Sequence, residues 1–116
     1  MPNIYEGVQV ATITIANSTT LSDSIKVDAA RFVIGIELPV LNSTIVYIQA
    51  ASTQNGTYKR ILDQNGDDLE VASAATTGSR MRFLADIAPF QFLKVECGTA
   101  QTANRIFNFI MRPFEV

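Results

Sequence analysis

The sequence predicts an all-β fold, an antiparallel β-sandwich or jelly-roll-like domain of about eight to nine short strands. Three observations predict it. Apolar residues alternate with polar ones along much of the chain, as Leu93, Val95 and Cys97 do with Lys94 and Glu96, and a pleated strand sends successive side chains to opposite faces. Turn-forming clusters interrupt these runs every eight to twelve residues or so. No stretch carries apolar residues at the spacing of an amphipathic helix.

Taken in order, residues 1–7 hold Pro2, Asn3 and Gly7 without periodicity and predict an N-terminal arm ahead of a single domain over 8–116. Residues 8–16 alternate, but the apolar phase moves from Val8 and Val10 to Ile13 and Ile15. Such a slip reverses the faces unless a bulge near Ala11-Thr12 absorbs it. After a polar turn at 17–20, Leu21, Ile25 and Val27 share one parity and predict a second strand. In 32–38 the residues Phe32, Ile34, Ile36 and Leu38 fall on one face, with Gly35 and Glu37 on the other. Pro39 has no N–H to donate to a ladder, so that strand ends there. A β-branched run over 44–49 follows, then Asn55-Gly56, a short strand, and Asn65-Gly66. Asn-Gly pairs suit type I′ hairpin turns, and the whole of 32–66 predicts a three-stranded antiparallel meander.

Beyond it, 69–71 resumes a strand, and 72–79 is small and polar enough to predict a mobile loop. Residues 80–85 alternate so that Met81, Phe83 and Ala85 face inward. Pro89 limits 86–90 to one helical turn. Residues 105–112 are apolar on both faces, which predicts a central position.

At 116 residues the chain is long enough to bury a core without staples. It is 47% hydrophobic and 17% charged, against a usual charged share of about a quarter. Apolar surface is then left over, and such surface favours contact with other proteins. Nine Lys and Arg are scattered against eleven Asp and Glu, for a net charge of −2. Without a basic stripe, nucleic acid is not an expected partner. No run has the roughly eighteen apolar residues of a membrane helix, and no basic-then-apolar start marks a signal peptide. The expected chain therefore has no membrane partner and is made in the cytoplasm. The lone Cys97 predicts a small buried hydrophobe.

The chain has no histidine, which removes the usual general base, the Ser-His-Asp triad and most zinc sites. No enzyme, catalytic residue, cofactor or metal is expected. Oxygen ligands are densest over 63–70, DQNGDDLE. Its glycine is fourth rather than sixth and no glutamate stands twelfth, so it departs from a calcium loop and suits an exposed hairpin tip. Glu37, Glu70, Asp86 and Glu96 offer carboxylate pairs with no sign of desolvation. Tyr5, Tyr47, Tyr58, Phe90 and Phe92 could stack on sugars, but serve more often as core or subunit contacts. Phe92 shares the parity of Lys94 and points away from the Leu93/Val95 core. Asn17, Asn42 and Asn55 open Asn-x-Ser/Thr triplets, which matter only for a secreted eukaryotic chain.

The order of several phrases is informative. Thr19-Thr20-Leu21-Ser22-Asp23-Ser24-Ile25 precedes Phe32-Val33-Ile34-Gly35-Ile36-Glu37-Leu38-Pro39, then Ile45-Val46-Tyr47-Ile48-Gln49-Ala50. Gln54-Asn55-Gly56-Thr57-Tyr58, Asp63-Gln64-Asn65-Gly66, Phe92-Leu93-Lys94-Val95 and Cys97-Gly98-Thr99-Ala100 follow. The arrangement resembles small β-sandwich structural proteins of tailed bacteriophages, those that decorate or cement the capsid. Cys97 stands where that pattern commonly has serine. The resemblance implies a virion protein on the capsid exterior, bound to the major capsid protein and to itself. A small symmetric homo-oligomer is implied, a trimer foremost, with no catalysis. The interface candidates are Pro2, Ile4, Tyr5, Phe90, Phe92, Arg112 and Phe114. Residues 47–61 are also similar to the strand-turn-strand of discoidin-like sugar-binding modules, which implies carbohydrate as the alternative partner. A tail- or fibre-associated role is the other alternative.

Overall fold

A computed structural model of the chain describes residues 9–27, 31–75, 80–83 and 90–113, and the side chains of these except Phe32, 73–75, 80–83 and Pro113. Nine strands occur among the described residues: β1 (Gln9–Ile15), β2 (Ile25–Lys26), β3 (Arg31–Leu38), β4 (Thr44–Ala51), β5 (Lys59–Arg60), β6 (Glu70–Ala75), β7 (Arg80–Phe83), β8 (Phe92–Cys97) and β9 (Arg105–Pro113). They form two antiparallel sheets. One has the order β1-β9-β3-β7, the other β2-β8-β4-β5, with β6 also paired to β4. The predicted all-β sandwich is what the chain forms.

The core lies between the sheets. Ile13, Ile15, Val33, Ile36, Leu38, Phe107, Phe109 and Met111 come from the first; Val46, Ile48, Ala50, Val71, Leu93, Val95 and Cys97 come from the second. Except on β3, each strand's contribution follows its two-residue period, and removal of this apolar area from water is the main term favouring the fold. Phe107 and Phe109 are fully buried on β9. That strand is central, between β1 and β3, as its apolar faces predict.

Several local expectations give way. β1 and β9 pair without interruption from Gln9↔Met111 to Ile15↔Arg105, so no bulge absorbs a slip. The odd phase runs throughout, and Val10 is simply outward and 57% exposed. The irregularity sits on β3 instead. Its register against β9 shifts between Val33 and Gly35, so Ile34 is an extra residue of a β-bulge. Val33 and Ile36 are therefore both inward, and Ile34 is off the face that simple alternation assigns it.

The meander is also corrected. β3 pairs with β7 and β9, whereas β4 pairs with β5, β6 and β8. Pro39 to Ser43 is a crossing from one sheet to the other, not a hairpin. Residues 72–75 belong to β6 rather than to a loop; 76–79 lie outside the described residues. Leu21 is exposed and Ser22 buried, the reverse of the predicted parity. The buried Ser22 hydroxyl accepts from Val95 N–H at 2.9 Å and donates to the Asp23 carbonyl at 2.8 Å, which satisfies it.

Neither Asn-Gly pair makes a type I′ turn, which would need positive φ at both central residues. Only Gly66 has it, at 84°. Gly66 N–H donates to Asp63 O at 3.2 Å and Asp63 N–H to Asp67 O at 2.7 Å. That is a three-residue loop with glycine in the left-handed position. Asn55-Gly56 sits in a turn closed by Gly56 N–H to Thr53 O, at 3.1 Å.

Candidate functional site

No group of three or more His, Cys, Asp or Glu side chains converges to hold a metal among the described residues. The acidic hairpin shows why in part. Asp63 Oδ1 accepts the N–H groups of Asn65 and Asp67 at 2.8 and 3.1 Å, and Asp68 is held by Arg60. The groove of about 710 Å³ beside it is lined by Tyr47, Asp63, Asp67, Asp68 and Glu70 among others, a wall of like charge around a tyrosine. Of the carboxylates, Glu70 and Glu96 flank Tyr47 on one outer side, and Glu96 is already held by Arg60. Glu37 lies on the outer side of the β1 sheet, where Asn108 Nδ2 donates to it at 2.9 Å. Glu96 lies on the outer side of the other sheet, so the sandwich separates them. Asp86 is outside the described residues.

The outer side of the β4 sheet is a zipped surface. Register sets Tyr47 beside Glu96, Gln49 beside Lys94 and Ala51 beside Phe92, with Arg60 beside Gln49 on the far strand. Arg60 grips Glu96 with Nε at 2.9 Å and a terminal nitrogen at 2.6 Å, while its other terminal nitrogen reaches Asp68 at 2.8 Å. Its guanidinium also lies 3.8 Å from the Tyr47 ring centre, and Lys94 lies 4.5 Å from that of Tyr58. Gln49 Nε2 donates to Glu96 at 2.9 Å. The hydrogen bonds from Arg60 hold the Glu96 carboxyl below the usual range, and those to Glu96 and Asp68 raise the Arg60 pKa further. Such a bidentate, stacked arginine is stronger than an ordinary surface pair. Glu96, predicted as a merely solvated charge, is the acceptor at its centre.

A second polar centre joins loop to strand. Gln101 is buried, accepting Asn42 N–H at 2.8 Å and Arg105 Nε at 3.2 Å, and donating to the Thr99 carbonyl at 3.0 Å. Asn42 Oδ1 in turn accepts from Thr102 and Arg105. The network ties the 39–43 crossing to the loop before β9, and it is structural. Cys97 is buried as predicted, and burial pushes its thiol up to about 11, which removes it as a nucleophile at neutral pH.

The outer side of the β1 sheet is different. Val10 and Ile106 are 57% and 53% exposed, and Ile110 opposes Val10 across β9. One polar row crosses them: Thr12 Oγ1 donates to Asn108 Oδ1 at 2.8 Å, and Asn108 donates on to Glu37.

Of the interface candidates, Phe90 is 37% exposed and lines a shallow groove with Ala50, Ala51, Thr57 and Lys59. Phe92 is half-buried on the outer side of β8, and Arg112 is exposed near the end of β9. Phe90 and Phe92 share one side of the molecule; Arg112 belongs to the β1 sheet. Pro2, Ile4, Tyr5 and Phe114 lie outside the described residues. Alternation did not single out Val10 and Ile106 as exposed apolar residues, although the odd inward phase of β1 turns Val10 outward.

No protein-family model and no curated protein matches the chain. Solved structures do resemble it. A chain from Bacillus endospore appendages, described as a family of disulfide-linked pili, superposes with a TM-score of 0.51 at 15% identity, over 91% of this chain and 85% of that one. A chain of the cyanophage Pam1 capsid asymmetric unit gives 0.43 at 13% identity, over 96% and 88%. At such identities the first likeness shows a shared fold. No described helix is long and apolar enough to cross a membrane.

Proposed function

We propose that the chain is a non-enzymatic structural protein of a tailed-phage particle, which decorates or cements the capsid shell through contacts with the major capsid protein and with itself. The observation that carries this reading is the outward apolar pair Val10 and Ile106 on the uninterrupted β1–β9 ladder, with Phe90 exposed on the other side. Large outward side chains on ordered strands suit docking to protein. The order of sequence phrases supports the phage setting. A cement stabilises its shell by mass action, because it binds the assembled lattice and not the separated subunits.

Carbohydrate is less well supported. Tyr47 and Tyr58, the sugar platforms on residues 47–61, each already carry a cation on the ring, and Gln49, Arg60 and Glu96 are bonded to one another.

Sedimentation of the purified protein with particles that lack it is the test. Binding at a fixed ratio to shell subunits is expected, and Ile106→Asp should lower occupancy at least tenfold, since a buried contact residue can contribute about 2 kcal/mol or more. Phe92→Asp on the opposite side reports which outer side meets the shell. Failure to sediment with any particle, or retention on a glycan column, would sink the proposal.

A further inference from the structure

Among the described residues β1 is an edge strand. There it pairs only with β9, and alternate N–H and C=O groups of an antiparallel edge strand point away from its partner. Natural edges are blunted by lysine, proline, bulges or brevity. β1 has none of these: it is seven residues, QVATITI, without a charge, a proline or a register shift.

We propose that β1 pairs with the β1 of a second copy of this chain, antiparallel about a two-fold axis at Thr12, joining the two β1 sheets into one. Of the registers that keep each face on its own side, the one centred on Thr12 sets threonine opposite threonine. Centring on Thr12 sets Val10 against Thr14 of the second copy and Ala11 against Ile13, so inward residues stay inward and outward residues outward. A shift by one residue would turn core-facing Ile13 and Ile15 outward relative to their neighbours.

The outer surface then becomes continuous. Ile106 already opposes Thr14, and Val10 opposes Ile110, within one copy. Across the seam these form rows of Ile106, Thr14, then Val10 and Ile110 of the second copy. The polar row does the same: Glu37, Asn108 and Thr12 meet the second Thr12, and cross-strand threonine pairs are favourable. The seam buries no charge, so no desolvation of an ion opposes it. Isologous contacts of this kind close at two copies.

The seam is independent of shell binding and is tested without particles. Sedimentation equilibrium of the full chain should give twice its 12.7 kDa mass. Thr12→Lys should dissociate it by tenfold or more, as should Thr12→Asp, because like charges then oppose each other directly. An equimolar mixture of the two variants should restore the dimer. Thr12→Cys should cross-link under mild oxidation, since paired Cα atoms lie within disulfide reach and buried Cys97 does not compete; Thr20→Cys, exposed and off the strand, should not. A monomer, a trimer, a dimer unaffected by Thr12→Lys, or equal cross-linking at Thr20 would each overturn the proposal.

Discussion

The two outer faces of the sandwich use the same strand geometry to opposite ends. On the β4 sheet, outward side chains bind one another: Arg60 clamps Glu96 and Asp68 while stacked on Tyr47, and Lys94 covers Tyr58. On the β1 sheet a hydrogen-bonded polar row, Thr12 to Asn108 to Glu37, runs between outward valine and isoleucines. The first face has satisfied its own polar groups and has little left to offer. The second leaves apolar area and, among the described residues, an open strand edge. Surface chemistry, rather than fold, therefore distinguishes the two faces.

The largest expected effect separates the two sides of one strand. Phe109→Ala should lower stability by about 3–5 kcal/mol, since it empties a fully buried site. Ile106→Ala, three residues away on the same strand and half in water, should stay within about 0.5 kcal/mol. Denaturant melts decide between them. Equal losses would mean that Ile106 is not outward, and the comparison of faces would fail.

The next effect bears on what holds the sheets in their relation. Gln101→Leu conserves bulk but strips partners from the Asn42 amide and the Thr99 carbonyl. A loss of about 1–3 kcal/mol is expected from buried groups left unpaired. An unchanged melting curve would show that water replaces the amide and that the crossing does not depend on it.

These residues also show what alternation can and cannot convey. The facing of β8 was legible because its period is unbroken, and so was the central place of β9. β3 was misread because a bulge at Ile34 needs no special residue type, so nothing in RFVIGIEL marks where the phase turns. Pro39 announced a stop, but whether β4 returns beside β3 or crosses to the other sheet depends on β9 and β8, which lie more than forty residues away in sequence. Arg60 and Glu96 are 36 residues apart, and Gln101 looked like any loop residue. Long-range pairing made the site, and local pattern does not report it.

The smallest expected effect is electrostatic and belongs to the zipped face. Hydrogen bonds from Arg60 keep the folded Glu96 carboxyl below its ordinary value of 4.5. A depressed carboxylate contributes stability that is present above the unfolded value and is lost as pH falls through the folded one. Glu96→Gln should thus destabilise the chain modestly at neutral pH, by about 1 kcal/mol at most given that Arg60 is partly exposed. The difference from the unsubstituted chain should shrink as the medium is acidified below 4.5, since both then lack the charge. Glu37, on the other outer side, accepts from the Asn108 amide, so Glu37→Gln at neutral pH should cost less than Glu96→Gln. Melts of the two variants at neutral pH, with Glu96→Gln followed into acid, set the faces directly against each other. Matching curves would mean that the Arg60 clamp adds nothing that an amide does not, and the zipped face would lose its distinction.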